Sequence, residues 1–438
     1  MAKESQFLDR RRFLQATSLS VLAGLAGCAG DDGGDGGDGG DGGDGGDGGD
    51  GEDGTDPAPE TSEDESDYTI GMADALTGSL SAFGERNQRG MELALADVND
   101  AGVKGGELDI IVEDTQSESQ QGVSAAQKLV NQNEVPLMVG AVGSGVSTAI
   151  HTSVIQGTDV VQISQNSTSP KLTEYPDLLR ICPPGGGQAQ VIADTISGDG
   201  HESLAIAWVN NDYGQGIADA VADLYEGEVV YNDPHDQGQS SYSNVITSMN
   251  DAGADAWLFV TYQPEFAQMA QEAFDLGVLN AETWYGADSV RGNTVLEQVP
   301  EGAIDGMKAV EPSAPVEQDN YQEFATRFEE EYGDQPTSWS TYTYDAIVTA
   351  ALAIEAADEF TGAALGEVVR DVTRPEGEQV TTYADAKAIL EDGGSPSDVD
   401  YQGVSGPIDL DENGDPKALL QIITVENHEY VRSSFETA

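Results

Sequence analysis

The chain has 438 residues, with 80 Asp+Glu against 18 Lys+Arg and a formal net charge of -62. Phosphate neutralisation needs clustered Lys and Arg, so nucleic-acid binding is excluded, and docking on anionic membrane surfaces is excluded for the same reason. Hydrophobic residues make up 38 % of the chain, enough for a core. The acid is not confined to a tail, because 62 acidic and 14 basic residues lie after Asp67. Such self-repulsion destabilises a compact state unless salt screens it, and screening lengths shrink to about 3 Å at 1 M salt. A halophilic protein adapted to very high salt is therefore expected.

At the N-terminus, "DRRRFLQ" places Arg10 and Arg11 ahead of Phe13 and Leu14. This resembles the twin-arginine export signal, a receptor-read address. The uncharged run from Phe13 to Gly27 has fifteen residues. That is short of the roughly 20 needed to cross a bilayer and fits the apolar region of a signal peptide. Leu25-Ala26-Gly27-Cys28 resembles a lipobox. Residues 1–27 are thus expected to be a lipoprotein signal peptide, with Cys28 as the lipidated residue; a small cysteine beside an ordinary cleavage site is the plainer alternative.

Asp-Gly-Gly then repeats six times from Asp32. Nothing in residues 28–67 can bury apolar area, so an acidic, glycine-rich, disordered tether is expected. Its r.m.s. span would be roughly 35 Å. Cys182 is the one thiol left in the body and cannot form an internal disulfide.

From Tyr68 onward, short apolar runs alternate with amphipathic segments. "YTIGMA", "LDIIVED", "VPLMVGA", "DVVQIS", "LAIAWV", "GEVVYN" and "DAWLFV" read as strands. Helical periodicity covers 85–99 and 124–132, then segments near 188–197, 215–225, 241–252, 264–276, 319–332 and 340–357. Strands alternating with helices at this rhythm predict parallel sheets in an α/β fold. Continuous apolar strands predict sheets covered on both faces. A final hairpin is expected within "GPIDLDENGDPKALLQIITV", turning at Asn413-Gly414.

Seven stretches occur in one order along the body: "ALTGSLSAFGERNQRGMELALADVN", "VGAVGSGVSTA", "ISQNSTSPKLT", "NNDYGQG", "TYQPEFAQMAQEAFDLG", "WYGAD" and "VSGPIDLDENGD". Together they resemble the substrate-binding proteins of ABC importers for branched-chain amino acids, which have the type I periplasmic-binding-protein fold. The resemblance implies two doubly wound lobes forming a clamshell, joined by three hinge crossovers. Residues 68–184 and 310–358 would form one lobe, and 185–309 and 359–438 the other, with hinge ends near Pro183-Pro184 and Glu311-Pro312. It also implies capture of an amino acid, branched-chain or aliphatic, for a membrane permease driven by an ATPase.

Ligands of open α/β sheets sit beyond the C-terminal ends of strands. By resemblance, Ser144 would hold the ligand α-carboxylate at a helix start, though on its own residues it also reads as a simple cap. Thr168 matches a hydroxyl that contacts both ends of the ligand. Asn166 would offer its carbonyl, and its long side chain would narrow the pocket. Tyr213 and Tyr262 match cleft-walling tyrosines that packing alone would also explain. Asp288 stands where the family has a glutamate that pairs with the ligand ammonium; the arm is shorter here. Phe83 and Trp339 align with pocket aromatics. Asn166-Ser167-Thr168 is also a glycosylation sequon, expected to be unmodified because a glycan would block closure.

An enzyme is the rival class. His151, His201, His235 and His428 are far apart in sequence, and neither a nucleophile elbow nor a P-loop is present. "DLDENGD" resembles the start of a calcium loop, but position twelve would be Leu420 rather than Glu. No cofactor and no metal is expected. A clamshell for an amide, urea or an aromatic acid, or one that senses rather than transports, stays open. The expected product is a monomer on the outer face of the cell membrane, held through lipid at Cys28.

Overall fold

The computed structural model describes residues 68–437. The expected signal peptide, Cys28 and the tether lie outside the described residues. Five strands form the first sheet: β1 (Tyr68–Asp74), β2 (Leu108–Asp114), β3 (Leu137–Gly140), β4 (Val161–Ser164) and β5 (Leu178–Arg180). They run parallel in the order β2-β1-β3-β4-β5. Every residue of β3 and β4 is buried, because helices cover both faces.

The second sheet starts with β6 (Ser203–Val209), β7 (Glu228–His235), β8 (Ala256–Val260), β9 (Trp284–Gly286) and β10 (Lys308–Pro312). These are also parallel. A small three-stranded sheet follows, of β11 (Glu378–Val380), β12 (Val399–Gly403) and β13 (Gly406–Pro407). β14 (Leu419–Glu426) and β15 (Glu429–Thr437) then extend the second sheet antiparallel beyond β10. The result is the α/β fold of two doubly wound lobes. The chain passes between the large sheets three times: after β5, after β10 and before β14.

The helix Ser81–Ala101 buries Phe83, Met91, Ala94 and Val98, the stripe its periodicity predicts. It packs on the helix Ser338–Ala356, which is buried from Trp339 to Ile354. The two backbones meet closely at Gly90, where a Cβ would sit 2.3 Å from the Ser340 carbonyl oxygen.

The expected lobe boundaries need correcting. Residues 310–312 belong to β10, in the second sheet. Residues 362–407, expected in the second lobe, pack on the first. Lys387 donates to the carbonyls of Ala101 and Gly102 at 2.7 and 2.9 Å. Asp345, on the helix Ser338–Ala356, accepts from the Tyr401 hydroxyl at 2.8 Å and from the N–H groups of Val404 and Ser405 at 3.1 and 2.7 Å. A carboxylate with no exposure needs such donors, and this segment supplies them.

The expected final hairpin is also corrected. Gly406–Pro407 pairs back with Gln402–Gly403, and the true terminal hairpin joins β14 to β15. Its turn is Asn427-His428, with φ of 52° and 63°, the left-handed region that tight hairpins use. Around Asn413-Gly414 the chain makes a separate turn, closed by Asp411 N–H to the Asp415 carbonyl at 2.9 Å. The strands β5, β9 and β11 have three residues each, too few for a periodic signal.

Candidate functional site

Between the lobes lies a narrow cleft. Its lining includes Phe83, Ser144, Asn166, Thr168, Tyr213, Tyr262, Asp288 and Trp339, all the residues the sequence offered as candidate ligand contacts. Leu80, Val142, Gly143 and Ser289 complete it.

The first lobe supplies two loops that follow β3 and β4. Gly143 has φ of 91°, and a Cβ there would approach Leu80 Cδ1 to 2.9 Å, so glycine is required before the helix Ser144–Ile150. Gly143 N–H donates to the Asn166 carbonyl at 3.0 Å. Ser169 N–H donates to Ser144 Oγ at 3.0 Å. These two bonds lock the loops side by side. Beneath them, Ala141 N–H donates to Ser147 Oγ at 2.9 Å, and Ser147 and Ser167 hydroxyls are 2.8 Å apart. Phe83 meets Trp339 edge to face, centroids 5.6 Å apart, forming an apolar wall.

The second lobe brings Tyr213, Tyr262 and Asp288. The tyrosine rings stack with centroids 5.5 Å apart. Tyr213 donates its hydroxyl proton to Asp288 Oδ1 at 2.6 Å, and Ser289 Oγ lies 2.5 Å from the same hydroxyl. Gln188 Nε2 also donates to Asp288 Oδ1, at 3.2 Å. Burial dominates over these donors and pushes the Asp288 carboxyl up to about 6. A buried carboxyl so poised favours a cation beside it. Burial raises the Tyr213 and Tyr262 hydroxyls as well, so both are neutral donors at ordinary pH.

The lobes touch around the cleft. Ser169 Oγ donates to the Asp212 carbonyl at 2.8 Å, Lys171 Nζ to Gln215 Oε1 at 2.7 Å, and Gln237 Nε2 to Ser79 Oγ at 3.1 Å. The family model described as "Periplasmic binding protein" matches residues 67–392. The chain belongs to this family.

Among its relatives, the Leu/Ile/Val-binding protein homolog 3 of Brucella melitensis is 31 % identical over 220 residues. That alignment covers 49 % of this chain and 59 % of the relative. Two solved structures share the fold. A leucine-binding protein, LivK, of Thermotoga maritima superposes with a TM-score of 0.73 at 22 % identity, covering 84 % of this chain and 98 % of that one. The branched-chain amino acid transporter binding protein LivJ of Streptococcus pneumoniae, in complex with isoleucine, gives 0.71 at 21 % identity, covering 85 % and 99 %.

Several site residues escaped sequence reasoning. Gln188 lies in a segment read only as a helix, and Ser289 directly follows the "WYGAD" stretch without a signal of its own. Arg180 is fully buried. It donates to Asp415 Oδ1 at 2.6 Å, to the Ser169 carbonyl at 2.9 Å and to Thr173 Oγ1 at 2.8 Å. It thereby pins the loop carrying Asn166 and Thr168 to the turn at Asp411–Asp415. A lone Arg on a short strand was the available signal, and its partner is remote in sequence.

Among the described residues, no group of three or more His, Cys, Asp or Glu is placed to hold a metal ion. Nor is any described helix long and apolar enough to cross a membrane.

Proposed function

We propose that the chain captures an α-amino acid between its lobes and delivers it to an ABC permease and its ATPase. Amino acids of branched-chain size, the class its relatives are named for, are the first candidates. One observation carries the reading: Asp288 from one lobe and Ser144 from the other line a single cleft. An ammonium would pair with Asp288, and a carboxylate would take the Ser144 hydroxyl and the N–H groups of its loop. Thr168 stands beside Ser144 to contact the ligand, and Phe83, Tyr213, Tyr262 and Trp339 supply apolar walls. Because the two poles are gripped from different lobes, the ligand binds the closed form better than the open one, and that difference drives closure.

A thermal-shift screen in molar salt tests this, with α-amino acids, amides, urea and aromatic acids. Ligand at 100 times its Kd adds about 2.7 kcal/mol of stability. The largest shift should come from an α-amino acid; a shift given only by amides, urea or aromatic acids would contradict the reading. The protein would act as a monomer outside the cytoplasm, tethered by lipid at Cys28. In cell fractionation, Cys28→Ser should move it from membrane to medium, and retention on the membrane would refute the anchor.

A further inference from the structure

Asn166 carries an observation the capture mechanism leaves unused. The residue is 7 % exposed and lines the cleft. Its backbone carbonyl already accepts from Gly143 N–H at 3.0 Å. Its side-chain Oδ1 and Nδ2 are both buried, and neither has a hydrogen-bond partner among the described residues. Several other polar groups of the cleft are engaged: Ser144 Oγ by Ser169 N–H, Asp288 Oδ1 by Tyr213 and Gln188, and Tyr262 by Asn211 Nδ2.

Buried polar atoms are rarely left unpaired, because each forfeits its hydration. A carboxamide is donor and acceptor at once, and either orientation of the group presents one of each. A hydroxyl or a second carboxamide complements that pair. A hydrocarbon side chain leaves both atoms buried and unsatisfied.

We infer that Asn166 reads the ligand side chain and selects neutral amino acids bearing a hydroxyl or carboxamide over their hydrocarbon isosteres. The inference rests on the amino-acid reading above. It sets a specificity within the branched or similarly sized class: threonine over valine, asparagine over leucine. The aromatic wall of Phe83 and Trp339 accepts the shape of either member of a pair, while the carboxamide separates them by chemistry. A site that hydrogen-bonds a ligand group rejects the analogue lacking it far more strongly than an apolar pocket rejects a missing methylene.

The test is titration calorimetry on the full chain in molar salt with the pairs Thr/Val and Asn/Leu, for wild type, Asn166→Ala and Asn166→Leu. Wild type should prefer the polar member of at least one pair by about tenfold or more. Both variants should lose that preference or reverse it. Equal or tighter wild-type binding of both hydrocarbon members would overturn the inference, and this readout needs no variant to fold. A uniform loss across all four ligands in the variants would also overturn it, because Asn166 would then be serving the zwitterion. If no α-amino acid binds wild type at all, the amino-acid reading itself fails and takes this inference with it.

Discussion

Asp288 is the residue on which the proposed charge recognition turns. Burial pushes its carboxyl up to about 6, against an ordinary 3.8. A carboxyl raised by folding adds stability below its unfolded value, and that stability is lost as pH rises through the folded value. Asp288→Asn should therefore melt higher than wild type at pH 7.5, with the gain fading between about pH 6 and 4. The same variant should lose amino-acid binding. In wild type, proton competition should weaken binding by about tenfold per pH unit below about pH 6. Affinity that stays flat from pH 7 to 5 would exclude an Asp288–ammonium pair.

At the scale of elements, the candidate site is built from helix starts and the loops that follow strands, and buried polar anchors fix those loops. The Arg180–Asp415 pair is the clearest. Both members are buried, and Thr173 bridges them by donating to Asp415 Oδ2 at 2.7 Å. Removing one partner of a buried pair leaves an uncompensated charge and costs about 3–5 kcal/mol. Arg180→Ala should lower the midpoint of denaturant unfolding accordingly and weaken binding in the molecules that stay folded. An unchanged midpoint would show the clamp to be idle.

Strand and helix rhythm was legible because buried parallel strands and amphipathic helices carry strong local signals. "LDIIVED" fits β2 residue for residue, and the stripe from Met91 to Val98 does mark a helix face. The path after Phe360 was not legible, since Tyr383, Lys387 and Tyr401 find partners more than fifty residues away. Asn413-Gly414 misled for a related reason. Its local turn signal is genuine, but Arg180 holds the following Asp415 and keeps the flanks from pairing with each other.

For the whole molecule, sequence order revealed the cleft because most of its lining residues follow the C-terminal ends of strands in the two sheets. Family resemblance supplied which residues meet there, and the structure brings Ser144 and Thr168 opposite Tyr213, Tyr262 and Asp288. What resemblance could not supply is the hydrogen bonding behind the lining. Gln188 on Asp288 and Ser169 on Ser144 are set by packing between distant segments. The charge of -62 acts on a different level. It bears on solubility and on the salt in which the fold persists, not on which ligand is chosen.

A crystal structure grown in molar salt with the amino acid that gives the largest thermal shift tests the central claim most directly. The account places the ligand ammonium within about 3 Å of an Asp288 oxygen and its carboxylate within the same reach of Ser144 Oγ or a neighbouring N–H, with the lobes closed. A ligand gripped wholly by one lobe, or bound away from this cleft, would contradict it.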